Sequence, residues 1–153
     1  MSSIMLIINS CSIEEKYAPK NEYANIDLSQ VPFSNLSDYG FFSGDMNALN
    51  PVQGVYKYSL TSPSFADYSS KERFIYLPEG THMEYHGDFN SLEFPIGAII
   101  IKNFMYYNDI RDKSLGRTII ETRLLVRKEM KWKPFSYKSV SYTHLTLPTI
   151  YSV

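Results

Sequence analysis

After residue 55 the chain alternates apolar and polar positions with a period of two, the spacing of strands that bury one face. In "VYKYSL" (55–60) Tyr56, Tyr58 and Leu60 share one face, while Val55, Lys57 and Ser59 share a mostly polar one. "ERFIYL" (72–77) is a second predicted strand, closed by the turn sequence Leu77-Pro78-Glu79-Gly80. "THMEYH" (81–86) is a third. In "EFPIGAIIIKNFMYY" the run Ala98 to Ile101 predicts a strand covered on both faces. "GRTIIETRLLVRKE" alternates most regularly: Ile120, Thr122, Leu124 and Val126 on one face, Glu121, Arg123 and Arg127 on the other, with Leu125 the exception. "KWKPFSYKS" would pair back on it, and Pro134 places that strand at an edge or bulge.

Before this region, "FSNLSDYGFF" predicts a short helix, with Ser34 or Ser37 as N-cap and a stop near Gly40. "NALNPVQG" has the composition of a turn. Successive strands with short connections and no amphipathic helix between them predict a mainly β fold: an antiparallel β-sandwich or partial barrel with a short N-terminal helix.

Composition narrows the possible functions. The 153 residues suit one domain with a real core, and the thirteen Tyr and nine Phe fit a β-rich chain. Fifteen basic and sixteen acidic residues leave a net charge of −1, which argues against a dedicated nucleic-acid surface. The one cysteine, Cys11, excludes an intramolecular disulfide and a Cys-rich zinc site. It closes the apolar run "MSSIMLIINSC", where Ile8-Asn9-Ser10-Cys11 resembles a bacterial lipoprotein cleavage box with Cys11 as the lipidated residue. The run is too short to span a bilayer as a helix. Residues 1–10 are therefore read as a lipoprotein-type signal segment, and the polar, aperiodic residues 11–30 as a linker. The expected location is the bacterial cell envelope, periplasmic or on the outer membrane, with membrane attachment through Cys11.

Candidate chemistry is sparse. His82 and His86 flank Glu84, but on a strand residues four apart lie about 13 Å from each other, too far to share a metal. Asn108, Asp109 and Asp112 lack the full calcium-loop pattern and read as a turn. Glu121, Arg123 and Arg127 suit an ion-pair ladder or an anion site. No G-x-S-x-G, Walker, dinucleotide or zinc-protease motif occurs, so no catalytic, cofactor or metal residue is assigned. There is also no C-x-x-C-H for covalent heme attachment.

The segments "NLSDYGFF", "NPVQGVYKYSLTSPSFADYSSKERFIYLPEGT", "EFPIGAIIIKNF" and "IETRLLVRKEMKWKPFSY" together resemble one secreted bacterial family. Its members include diheme c-type cytochromes and uncharacterised proteins. The resemblance covers about residues 34–138. Its most specific pieces are Ser64-Phe65-Ala66-Asp67-Tyr68 with Lys71 and Arg73-Phe74, and Phe94-Pro95 and Gly97 with Lys102. It implies a β-rich module, here residues 31–138, ahead of a heme c region in a longer electron-transfer parent with a redox partner. No residue of this chain matches a heme ligand of that family. A glycan-binding or structural interaction module is the alternative, with exposed Tyr and Trp132 stacking on sugars. Residues 139–153 resemble the in-frame translation of a sequencing-library adaptor, beginning Ser139-Val140-Ser141-Tyr142-Thr143-His144, and are expected not to be native.

Overall fold

A computed structural model describes residues 23–62, 69–87, 91–140 and 144–149, with 140 and 144–149 described by their backbone alone. Cys11, the leader around it and Ser64–Tyr68 lie outside the described residues.

The fold is mainly β and antiparallel. Two short strands, β1 (Phe42–Ser43) and β2 (Asn50–Pro51), form a small ribbon. Six strands then follow in sequence order as an open meander: β3 (Val55–Tyr58), β4 (Ser70–Tyr76), β5 (Ile99–Tyr107), β6 (Arg117–Arg127), β7 (Trp132–Val140) and β8 (His144–Thr149). Every neighbouring pair is antiparallel, and β3 and β8 are the edges, so the sheet does not close into a barrel.

One face of the meander carries the core. Phe74 and Tyr76 of β4, Ile99, Ile101 and Met105 of β5, and Leu124 and Val126 of β6 are buried there, with Phe135 and Tyr137 of β7 beside them. Across them runs the segment of residues 24–52, which contributes Val31, Leu36, Tyr39, Phe41, Leu49 and Val52. An aromatic seam joins the two layers. Tyr39 stacks on Phe41 at 5.0 Å and meets Tyr137 edge-on at 5.9 Å, and Phe42 meets Phe74 edge-on at 5.0 Å. Rings at these separations add to the area they bury. The packed chain already includes Ala24, within the stretch read as linker, and Ala24 accepts a 2.7 Å hydrogen bond from the Tyr76 hydroxyl.

Five local expectations are corrected. The short N-terminal helix is a single 3-10 turn, Leu36–Tyr39, and no α-helix occurs among the described residues. Its cap is Asn35, not Ser34 or Ser37: Asp38 accepts the Asn35 backbone N–H. Leu36 and Tyr39, three apart, both reach the core, and Gly40 at φ 65° ends the turn before α-helical spacing can start. Residues 81–86 form no strand, only a Glu84–Glu93 bridge, because His82, Glu84, Tyr85 and His86 are exposed and give the segment no face to bury. In β3 the phase is opposite to the one the tyrosines suggest. Val55 enters the core, and Tyr56 is 54% exposed on the other face. Finally, β5 buries alternate residues instead of both faces.

The regular alternation of β6 also contains a break. Phe104 pairs with Glu121 but Met105 pairs with Ile119, so Ile120 is an extra residue, a bulge. The phase shifts by one there: Ile119 is buried, and Ile120, expected on the Thr122 face, is 38% exposed. Pro134 sits where β7 has no outer neighbour, since β8 pairs only from Ser136 onward. An edge is where a residue without an N–H fits.

Gly97 turns the chain into β5 at φ 89°, donating its N–H to the Arg127 carbonyl at 2.9 Å. A Cβ there would sit 3.0 Å from Pro78 and 3.2 Å from Leu28. Gly97→Ala should therefore cost about 1–2 kcal/mol from the left-handed backbone, with the contact adding to it. A urea melt of the variant checks this.

Candidate functional site

The second face of the meander is built from the residues that alternate with the core. Strand register aligns them in rows. One row runs Tyr58–Arg73–Lys102–Arg123–Ser136, and the next runs Lys71–Phe104–Glu121–Lys138. Neighbouring strands lie about 4.8 Å apart, and successive rows about 7 Å apart. Among the described residues, these two rows thus carry five cations and one carboxylate. An apolar row, Tyr56–Ile75–Ile100–Leu125–Pro134, borders them.

Phe104 is the centre of this arrangement. Lys71 Nζ and Lys102 Nζ each lie 5.6 Å from its ring centroid, and Arg123 Cζ lies 4.7 Å from it. Cations over an aromatic face are held by the ring's negative quadrupole. Glu121 is committed elsewhere. It accepts two hydrogen bonds from Arg123, at 2.9 and 3.1 Å, and one from the Ser136 hydroxyl. The bond from Arg123, with help from Ser136, outweighs burial and holds the Glu121 carboxyl below its ordinary pKa. Lys102 is lowered as well, which for a cation disfavours the charged form. Burial, and then the charges of Arg73, Lys71 and Arg123, hold its ammonium below the usual lysine value.

No family model, curated protein or solved structure matches the chain. The reading of the site therefore rests on the residues themselves.

Of the ladder expected from Glu121, Arg123 and Arg127, the structure joins the first two. Arg127 instead bonds the Lys128 carbonyl and lies 6.0 Å from the Trp132 ring centroid. Trp132 in turn meets Phe94 edge-on at 5.2 Å. Sequence reasoning missed Arg73, Lys102 and Lys71 as partners of Arg123. Each stands alone in its own segment, and only the pairing of β4, β5 and β6 gathers them.

The His82–Glu84–His86 segment meets Glu93 across the bridge. One ligand atom from each of Glu84, His86 and Glu93 lies within 4.8 Å of the others, and all three residues are exposed. His86 Nε2 is 3.1 Å from Glu93 and 3.6 Å from Glu84, while His82 is 3.9 Å from Glu84. Exposed pairs of this kind contribute little to stability. In the 106–116 loop the acids are used locally. Asp109 pairs with Arg111, and Asp112 caps the turn at Ser114. A cleft of about 610 Å³ lies between the N-terminal segment and the β4 end, lined by Tyr23, Ile26, Leu28, Tyr76, Glu79 and Ile96. Its lining mixes apolar side chains with polar groups, among them Asn25, Gln53 and the carboxylate of Glu79.

Inside the core face, Thr122 donates to Asn103 Oδ1 at 2.6 Å, and Asn103 Nδ2 has no partner among the described residues. A buried amide left half-bonded is costly, whereas removing both members of such a pair is nearly neutral. Thr122→Val alone should cost about 1–3 kcal/mol, because it orphans the Asn103 oxygen as well. The double variant Asn103→Leu/Thr122→Val should return to within about 1 kcal/mol of the parent. Chemical denaturation of the three proteins decides it.

Proposed function

We propose that this chain is an interaction module that docks an anionic partner on the second face of its sheet. The observation that carries this reading is the row Arg73–Lys102–Arg123, flanked by Lys71 and Lys138, in a chain whose overall charge is near zero. Concentrating cations on one face of a nearly neutral protein steers an oppositely charged partner and sets its orientation. In architecture, the module is a partial sandwich: the N-terminal segment with β1–β2 stands where a second sheet would.

The sequence resemblance supplies the setting. In this reading the module belongs to a lipid-anchored cell-envelope protein, attached through Cys11, whose parent carries heme c downstream and passes electrons to a redox partner. The cationic face would then serve as a docking surface. A second reading, a module that binds an acidic glycan, is favoured by the exposed rings of Tyr56 and Tyr106, which flank the cations on the same face.

The test has two parts. Expression of the uninterrupted parent gene with heme staining and metabolic labelling by palmitate should give a heme-positive, labelled product, with the label lost in Cys11→Ser. Absence of heme would remove the electron-transfer setting. Capture of envelope partners on the immobilised domain should weaken steeply with salt and fail for Lys71→Gln/Lys138→Gln. Salt-independent capture would remove the docking reading.

A further inference from the structure

We propose that Lys102, walled by Arg73, Lys71 and Arg123 over the Phe104 ring, is a binding site for a phosphate group. The inference rests on the cationic-face reading and names the chemistry that the face recognises.

The first support is geometric. Three cationic centres lie within 5.6 Å of one ring centroid, and Arg73 and Lys102 are directly paired on adjacent strands. The aromatic ring holds these cations without consuming their N–H groups, which a carboxylate would consume. The Lys71 and Lys102 donors are therefore left for a ligand, whereas Arg123 already donates to Glu121 and serves as a charged wall.

The second support is Arg73. Its side chain is on the second face, yet the residue is only 7% exposed. Among the described residues no carboxylate bonds to it, nor to Lys102, and the one acid in these rows is taken up by Arg123 and Ser136. A guanidinium so far from water ordinarily has an oxyanion beside it. Here its neighbour on the next strand is another cation, Lys102, which burial first and then the surrounding cations hold below its usual pKa.

The third consideration is charge. Several crowded cations are better matched by a phosphate monoester or inorganic phosphate, with roughly 1.5–2 negative charges, than by one carboxylate. Guanidinium and ammonium donors suit its oxygens, the first as a fork and the second as a point charge.

The experiment follows the thermal unfolding of the full chain in sodium phosphate and in sodium chloride at matched ionic strength. Phosphate should raise the midpoint by a few degrees more than chloride. Lys102→Gln relieves like-charge crowding, so it should melt no lower than the parent without phosphate and should lose the phosphate-specific rise. Arg73→Lys, which keeps the charge but not the fork, should retain only part of that rise. An equal response to the two salts, or a full response in Lys102→Gln, overturns the proposal.

Two further arms sort the outcomes. Phosphatidylcholine vesicles with and without phosphatidic acid separate a lipid-borne phosphate from a soluble one: Lys102-dependent flotation assigns the lipid source, and its absence beside a response to free phosphate assigns the soluble one. Poly-glutamate isolates the parent reading. If it binds through Lys71 and Lys102 while phosphate does not, the phosphate site falls and the docking face stands. If neither binds, both fall.

Discussion

Replacing Tyr137 by Phe should lower the stability of the domain by about 2–4 kcal/mol, although it removes a single oxygen. Tyr137 is fully buried, and its hydroxyl donates to the Phe33 carbonyl at 2.8 Å. The Tyr39 hydroxyl lies 2.9 Å away and donates to it in turn, while accepting the Phe33 N–H at 3.4 Å. The substitution therefore leaves two groups without their partners, the Tyr39 O–H and the Phe33 carbonyl. Each costs about 1–3 kcal/mol when stranded away from water. In Tyr39→Phe/Tyr137→Phe one of those two is removed, so the double variant should lose less than the sum of the singles, measured by urea unfolding. A strictly additive result would show that the two hydroxyls act independently. Burial, and then the Tyr39 contact, raise the Tyr137 pKa above that of an ordinary phenol. A raised pKa contributes stability that is complete below the unfolded value near 10 and declines as pH rises beyond it. The alkaline limb of the stability profile should flatten in Tyr137→Phe.

Glu72→Gln should cost about 2–3 kcal/mol near neutral pH, because charge-assisted bonds exceed neutral ones. Glu72 sits where three parts of the fold meet. It bonds Arg117 at the start of β6, and Lys57 of β3 lies 3.0 Å from its other oxygen. Arg117 also donates to the carbonyls of Asn47 at 2.7 Å and Ala48 at 3.0 Å, fixing the turn between β1 and β2. The side chains of Glu72 and Arg117 are 17% and 16% exposed, so solvent screens the pair only in part. Burial alone would raise the Glu72 pKa, but Arg117 and Lys57 outweigh it and the carboxyl is held low. A lowered pKa contributes stability that is present above the unfolded value of 4.5 and is lost as pH falls through the folded one. The difference between parent and Glu72→Gln should therefore be full at pH 7 and shrink in acid below 4.5, read by denaturant melts across pH. A difference that stays constant into strong acid would assign the loss to packing instead.

Much of the fold was legible because burial imposes period two. The strands around Phe74, Ile101, Leu124 and Phe135 lie where the alternation places them. What pattern could not supply was phase wherever a strand has a cheap alternative. In β3 two tyrosines outweigh one valine by eye, yet an edge strand needs only Val55 inside, and Tyr58 can lie beside Arg73. In β6 the bulge at Ile120 leaves the residue types unchanged while moving them to opposite faces. The helix predicted near Ser34 had the right stop at Gly40 and too few residues before it.

The candidate site was legible only in fragments. Arg123 and Glu121 are two residues apart, so their pairing can be read locally. Arg73, Lys102 and Arg123 are isolated charges in three separate segments, and a single-segment reading treats each as a solvated surface residue. Their juxtaposition is a property of register, which turn lengths and the buried face set together.

The layered arrangement has a consequence for how the chain is made. Within the meander every strand pairs with its sequence neighbour, so the sheet can grow as it leaves the ribosome. The segment that covers it is made first and finds its partners last: Tyr39 bonds Tyr137, and Leu28 bonds Lys128, across about a hundred residues. Such distant contacts close slowly, because the intervening loop must be ordered before they can form. Until β7 has emerged, the apolar side of Phe33, Tyr39 and Phe41 has no finished surface to rest on, so aggregation competes with folding most strongly at that stage.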